Sequence, residues 1–255
     1  MLTDAQWAEL EPLVEACRPK GKTPPQELRR TISAILWRHH NGASWRAIPA
    51  ELGPWWQAAQ IFIRWARAGV WERLLDLVQS RGVALGMVFL DGTNIRAHQK
   101  AAGAAKKGGS GAERDHREAL GRSRGGYGTK ACVIADGRGR PVGFRLAPGQ
   151  AHELPHALPL LDQLPGVPKW VVADRGFSSH GFREAIWTAG ARPAIPTKSN
   201  EAPLACPDWI YTNRNIVERL WARLKEWRAV ATRYEKTAVS FMGVLCLAAT
   251  LLWIK

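Results

Sequence analysis

The 255-residue chain is poor in the residues that cross-link small folds. Only four are cysteine, Cys17, Cys132, Cys206 and Cys246, and no two form a Cys-x-x-Cys pair. Zinc ribbons and dithiol redox motifs are therefore unsupported, and the thiols read as reduced groups in a cytosol. Acids are also scarce: 22 Asp and Glu stand against 36 Lys and Arg, a formal net charge of +14. Such an excess points to a polyanionic partner, usually nucleic acid. No apolar run reaches the roughly 20 residues that span a bilayer. The longest, residues 239–254, contains Ser240, Gly243 and Thr250 and reads as a buried terminal helix. The basic residues are spread over many segments rather than one amphipathic helix, so a membrane surface is the weaker partner. The opening MLTDAQWAEL is polar and acidic, unlike a signal peptide, and a cytoplasmic location is expected. The stacking-aromatic motifs of RNA readers are missing, and so is any internal repeat.

What is present is ample material for a core. Hydrophobic residues make up 46% of the chain, and thirteen are tryptophan. Residues 3–16 read as a helix capped by Thr3 or Asp4, with Trp7, Leu10, Leu13 and Val14 as its apolar stripe and Pro12 as a kink or break. A basic, proline-rich connector covers residues 18–25. A second helix, 26–40, buries Leu28, Ile32, Ile35 and Leu36 and stops at Asn41-Gly42. A short helix starts at Ser44; after the Leu52-Gly53-Pro54 break, residues 55–69 form a longer one that carries Arg64 and Arg67. This order reads as a helix-turn-helix able to contact DNA. With residues 71–79 also helical, residues 1–80 are expected to form an all-helical, DNA-end-binding domain.

The pattern changes at residue 83. The apolar run from Val83 to Leu90 reads as a buried strand that ends in Asp91-Gly92-Thr93. Residues 99–126, rich in Ala, Gly, Lys, Arg and Ser, read as a basic flexible loop suited to a phosphate backbone. Strands follow at 127–135 and 141–146, joined by an Asp136-Gly137 turn. The loop Pro148-Gly-Gln-Ala-His152-Glu153 leads into a helix ending near Leu164. A strand at 170–174 delivers Asp174, before Arg175-Gly176. Then come a helix at 178–190, a short strand from Arg192, an irregular stretch, a helix over 211–225, a basic stretch and the apolar terminal helix. The fold class is α/β, with residues 84–255 as the second domain.

The helix over 211–225 carries one acid, Glu218, among Arg214, Arg219, Arg223 and Lys225. Arg214, Glu218 and Lys225 share one face, while Ile216, Val217, Leu220 and Leu224 turn toward a core. Glu218 is either the partner of Arg214 one turn back or a metal ligand facing a polyanion. Asp91 and Asp174, each taken alone, could be ordinary turn residues. The three acids together, in so basic a chain, favour a metal site. Converging carboxylates repel unless cations neutralise them, and hard oxygen ligands suit Mg²⁺, with Mn²⁺ able to substitute. Two such ions promote in-line phosphoryl transfer. Arg214 as a forked donor and Lys225 as a point charge would hold phosphates nearby.

The segments FLDGTNIRAH around Asp91, ADRGF around Asp174, and Tyr211-x2-Arg214-x3-Glu218-x6-Lys225 resemble the bacterial DDE transposases of the insertion-sequence-five family, within the group related to insertion sequence four. The stretch from GASWRAIP to GVWERLL is similar to that family's helical head. The resemblance implies a ribonuclease-H-like mixed sheet flanked by helices, and cleavage and strand transfer at the terminal inverted repeats of an insertion sequence. It makes Asp91, Asp174 and Glu218 the acidic triad, and Tyr211, Arg214 and Lys225 the accessory residues. Arg96 and His98 could touch DNA near the site, and Lys130 joins Arg64 and Arg67 among the expected DNA contacts. Many relatives have Ser or Thr where Gly92 stands and a second His where Lys100 stands. A homodimer or higher oligomer on double-stranded DNA is expected, because two transposon ends must be paired. A plain nuclease on the same core, or a catalytically silent DNA-binding regulator, are the rival readings.

Overall fold

The computed structural model describes residues 2–20, 27–102, 110–199 and 201–254. Most of the proline-rich connector and the centre of the basic loop therefore lie outside the described residues.

The head is helical, as its periodicity predicts. α1 (Asp4–Cys17) opens with a capping box between Thr3 and Gln6 and buries Trp7, Leu10 and Val14. It runs straight through Pro12, contrary to a break. The amide that proline lacks would have bonded the Ala8 carbonyl, and both residues are exposed, which leaves that carbonyl open to solvent. α2 (Leu28–Asn41) ends at Gly42, whose φ of 61° is the left-handed cap a glycine accepts. The expected short helix is two 3₁₀ turns, Trp45–Ala47 and Ala50–Leu52. α3 (Trp55–Arg67) and α4 (Val70–Val78) complete the head.

β1 (Met87–Ala97) is longer than its apolar run. The strand does not end at Asp91, because β3 (Gly126–Ala135) pairs antiparallel with it from Phe89 to Arg96. The described residues of the 99–126 stretch are also more regular than its composition suggests. They contain α5 (Gln99–Ala102), α6 (Gly111–Arg117) and β2 (Gly121–Ser123). The local signal for α6 is the Ser110/Glu113 capping box. β3 turns through Asp136 into β4 (Pro141–Pro148). Asp136 is fully buried, and its carboxylate accepts from the amides of Ala84, Arg138 and Arg140 and from the Arg140 guanidinium. α7 (Ala157–Leu161), β5 (Trp170–Ala173), α8 (His180–Thr188) and β6 (Arg192–Ala194) follow.

The main sheet runs β4-β3-β1-β5-β6, with β2 beside the start of β3. β1, β3 and β4 are antiparallel neighbours, and β5 and β6 are parallel to β1. This is the expected ribonuclease-H-like mixed sheet. The helix read over 211–225 is divided: α9 (Asp208–Tyr211), a 3₁₀ turn Thr212–Arg214, then α10 (Asn215–Lys225). α11 (Arg228–Ala231) leads to β7 (Thr232–Arg233), which pairs with the far end of β1. α12 (Ala238–Trp253) is buried on nearly every side because it packs against α3, α4 and β4. One continuous hydrophobic cluster thus includes the head, α12 and the sheet.

Gly243 is the tightest point of that wedge. A Cβ there would stand 2.7 Å from Cδ1 of Trp71, which is fully buried and pinned by its indole N–H to the Phe62 carbonyl. Overpacking costs about 1–3 kcal/mol, against about 1 kcal/mol gained from alanine's helix propensity. Gly243→Ala is therefore expected to lower the urea midpoint. A raised midpoint would mean that α12 is not wedged as described.

Candidate active site

The site arises from an interruption in pairing along one edge of β1. β5 occupies that edge only from Met87 to Leu90, and β7 only at Arg96 and Ala97. Among the described residues no strand pairs there over residues 91–95. Leu90 is opposite Ala173, so the next residues, Asp91 and Asp174, leave two neighbouring parallel strands at one level. Strands so paired lie about 4.8 Å apart. Side chains alternate along β1, so Asp91 and Thr93 project to one face and Gly92 and Asn94 to the other. α10 packs against β1. Its apolar residues Val217, Leu220 and Leu224 are buried, which leaves Glu218 on the exposed side.

Arg214 links the two elements. Its Nη1 stands 3.5 Å from Asp91 Oδ1 and its Nη2 2.5 Å from Glu218 Oε1. Lys225 donates to Thr93 Oγ1 at 2.8 Å. Burial lowers the Lys225 ammonium from its ordinary value, and Asp91 pulls it back up. Asp174 caps the 3₁₀ turn Arg175–Phe177 by accepting the Gly176 amide at 2.8 Å. Among the described residues no three His, Cys, Asp or Glu are gathered tightly enough to hold an ion as they stand. The cation spanning Asp91 and Glu218 is a guanidinium.

Asp91 is the strained charge. Its side chain is 14% exposed, and its pKa is raised to about 6, chiefly by burial. Arg214 opposes the rise, while Glu153 and, more weakly, Asp174 add to it. From the sequence Glu153 is a loop residue that no spacing ties to the site. It ion-pairs with Lys130 at 2.7 Å and lies over Gly92, where a built Cβ would meet its Cδ at 2.4 Å. No spacing in the chain pairs Glu153 with Asp91; the only trace is the glycine beside the aspartate. The Cys132 thiol, opposite Gly92, is pushed up to about 12 by burial and by these acids, and is inert.

The other expected residues are elsewhere. Tyr211 is half-buried at the end of α9, packed against the core. Arg96 is exposed on the face of β1 opposite Asp91. His98, roughly 23 Å along the strand at 3.3 Å per residue, packs its ring 5.0 Å from Tyr234. Arg64 and Arg67 are exposed on the last turn of α3. Arg67 and His98 share a cleft of about 480 Å³ between the head and the end of β1, with Trp45, Lys100 and Lys236 also on its walls.

Known proteins resemble the chain throughout its length. Residues 85–205 and residues 171–255 match two families, each described as "Transposase DDE domain". The class is thus that of the DDE transposases, DNA-cutting enzymes whose catalytic domains use divalent metal ions. Residues 2–75 match a family described as "Putative transposase of IS4/5 family". A "Putative transposase for insertion sequence element IS6501" of Brucella ovis is 32% identical over 130 residues, 50% of this chain and 98% of that protein. "Uncharacterized protein y4sN" of Sinorhizobium fredii is 36% identical over 110 residues, 42% of this chain and 86% of that protein. The chain belongs to this IS4/5 family of insertion-sequence transposases. A piggyBac transposase synaptic complex with hairpin DNA aligns with 99% of this chain and 66% of that one, at 11% identity and a TM-score of 0.47. The fold assignment rests instead on the strand order above.

Because the folded Asp91 binds its proton more tightly than the unfolded chain does, the associated stability is greatest below the ordinary carboxylate pKa of 3.8 and is lost as pH rises through about 6. In the metal-free protein, Asp91→Asn is expected to raise stability at pH 8 by about 2–3 kcal/mol, with the gain disappearing near pH 4. Urea unfolding of both proteins across this range checks it. A gain that is flat with pH would deny Asp91 its raised pKa.

Proposed function

We propose that this transposase cleaves DNA strands at the terminal inverted repeats of its insertion sequence and joins them to target DNA, with Asp91, Asp174 and Glu218 as the ligands of Mg²⁺, or of Mn²⁺ in its place. The observation that carries the reading is the gap in the edge of β1. There two aspartates stand side by side on parallel strands, and Arg214 ties the first of them to Glu218 of α10. The donor set fits a hard cation, since every candidate ligand atom is oxygen and a guanidinium already lies between Asp91 and Glu218. When bound, such ions acidify an attacking water or 3′-hydroxyl and stabilise the leaving oxygen.

The remaining work belongs to side chains of the chain itself. Arg214 can present its forked donors to a phosphate once a stronger cation takes its place between the acids. Lys225, fixed by Thr93, adds a point charge of restricted mobility at the same edge. The head, residues 1–80, takes the end-binding role, and residues 84–255 take the catalytic one. Arg67, Lys100 and Lys236 around the cleft are exposed, and each is free of ion pairs among the described residues. Unpaired cations converging from both parts suit the phosphates of DNA running from head to site. Pairing of two ends calls for a dimer or higher oligomer. No helix among the described residues is long and apolar enough to cross a membrane.

The test is cleavage and joining on a labelled transposon-end duplex with Mg²⁺, with EDTA, and with Glu218→Gln. Metal-dependent nicking at the end followed by joining, both abolished by Glu218→Gln while duplex binding persists, is the expected result. Cleavage without joining would make the protein a nuclease, and binding without cleavage in either metal would make it a regulator. A separate measurement concerns the cleft. Replacing Arg67, Lys100 and Lys236 together by Ala is expected to flatten the dependence of log affinity on log salt by about 3. An unchanged slope would move the DNA path off this face.

A further inference from the structure

We propose that Glu153 is a fourth carboxylate of the site, a metal ligand reaching the ion from the face of β1 opposite Asp91. The inference rests on the metal-site reading above and deepens it. Glu153 follows β4 and immediately precedes the 3₁₀ turn Leu154–His156. That connection carries its carboxyl group back over β1, where it rests on the backbone of Gly92. A Cβ at residue 92 would come within 2.4 Å of Glu153 Cδ and 2.7 Å of Oε1. The residue next to Asp91 therefore leaves the space that this carboxylate fills.

Gly92 and Asp91 point to opposite faces, but the strand edge between those faces is open. β5 stops at Ala173, level with Leu90, and β7 begins only at Arg96. An ion at that edge is within the compass of both faces at once, which it would not be in a continuous sheet. Lys130 currently neutralises Glu153, at 2.7 Å and with side chains only 13% and 18% exposed. Ion pairs this far from water are weak contributors to stability, since desolvation offsets much of the attraction. The pair is better suited to a role in which its members are exchanged. Lys130 holds Glu153 as Arg214 holds Asp91 and Glu218, each acid carrying a cationic side chain that an ion can displace. A purely structural pair tying β3 to the loop is the competing account.

Calorimetric titration of the full chain with Mn²⁺ alone separates the two, with no DNA and no turnover. Glu153→Gln keeps the shape and removes the charge. It is expected to weaken Mn²⁺ binding by about 10-fold or more, the loss typical when a group supporting a metal site is removed. Lys130→Met frees Glu153 from its rival and is expected to leave binding intact or strengthen it. Gly92→Ala keeps every charge but displaces the carboxylate, and is expected to weaken binding as Glu153→Gln does. Urea midpoints of the three variants guard against misfolding. If Asp91→Asn loses Mn²⁺ while Glu153→Gln and Gly92→Ala bind it as the parent does, Glu153 is structural and the inference is overturned, with the site reading intact. If the parent itself shows no binding that Asp91→Asn removes, the metal-site reading fails and the inference fails with it.

Discussion

β1 has one continuous neighbour and one interrupted neighbour, and the candidate site depends on the interruption. Along β3 every residue from Phe89 to Arg96 is in register. Along the other edge the parallel partner stops at Leu90, and the next strand begins six residues later, at Arg96. An unpaired stretch inside a sheet exposes backbone donors and acceptors, so it must be covered. Here α10 packs against β1; the 3₁₀ turn before it brings Arg214 to Asp91 and Glu218, and its last turn brings Lys225 to Thr93. Had β5 continued for another three residues, its backbone would fill the place where the acids meet.

The site is held at a cost in stability. Asp91 has lost most of its water, and its nearest cation is 3.5 Å away. Asp136 provides the contrast within the same chain. It is more deeply buried, yet three backbone amides and a guanidinium satisfy it, and it fixes the β3–β4 turn. A buried carboxylate with such a full set of donors is structural. One left with a distant, shared guanidinium and two neighbouring acids is the one to which the proposed function assigns a metal ion. Electrostatics of this kind cost stability, and carboxylates so perturbed are commonly found at functional sites.

The head is bound into this arrangement rather than tethered to it. α12 lies against α3, α4 and β4, and its burial joins both parts in one hydrophobic cluster. One buried arginine crosses the junction, and a second braces the segment it meets. Arg38 of α2 pairs with Glu235, and Arg233 donates to Thr129 and to the carbonyls of Glu118 and Glu235. The cleft holding Arg67, His98 and Lys236 opens at this junction. A shift of the head would therefore change the cleft and the end of β1 together.

The sequence by itself determined the class of fold, the helical head and the order of the elements, because these follow from local periodicity and capping. It also marked Arg214, Glu218 and Lys225 as sharing a face, although the first of them lies in a 3₁₀ turn rather than in α10. Local pattern alone did not separate Asp91-Gly92 from Asp136-Gly137. Both are an aspartate and a glycine after an apolar strand, and the same turn reading fits each; the grouping with Asp174 and Glu218 and the family resemblance singled out Asp91. What the pairing of β1 added is the open edge beside Asp91, because register with β5 and β3 is a property of residues about 40 to 80 positions away. The same distance hid Glu153, whose link to Asp91 passes through a hairpin, a loop and the missing side chain of Gly92. Local pattern selects the elements; which carboxylates lose their water, and which of them meet, is set by contacts between elements far apart in the chain.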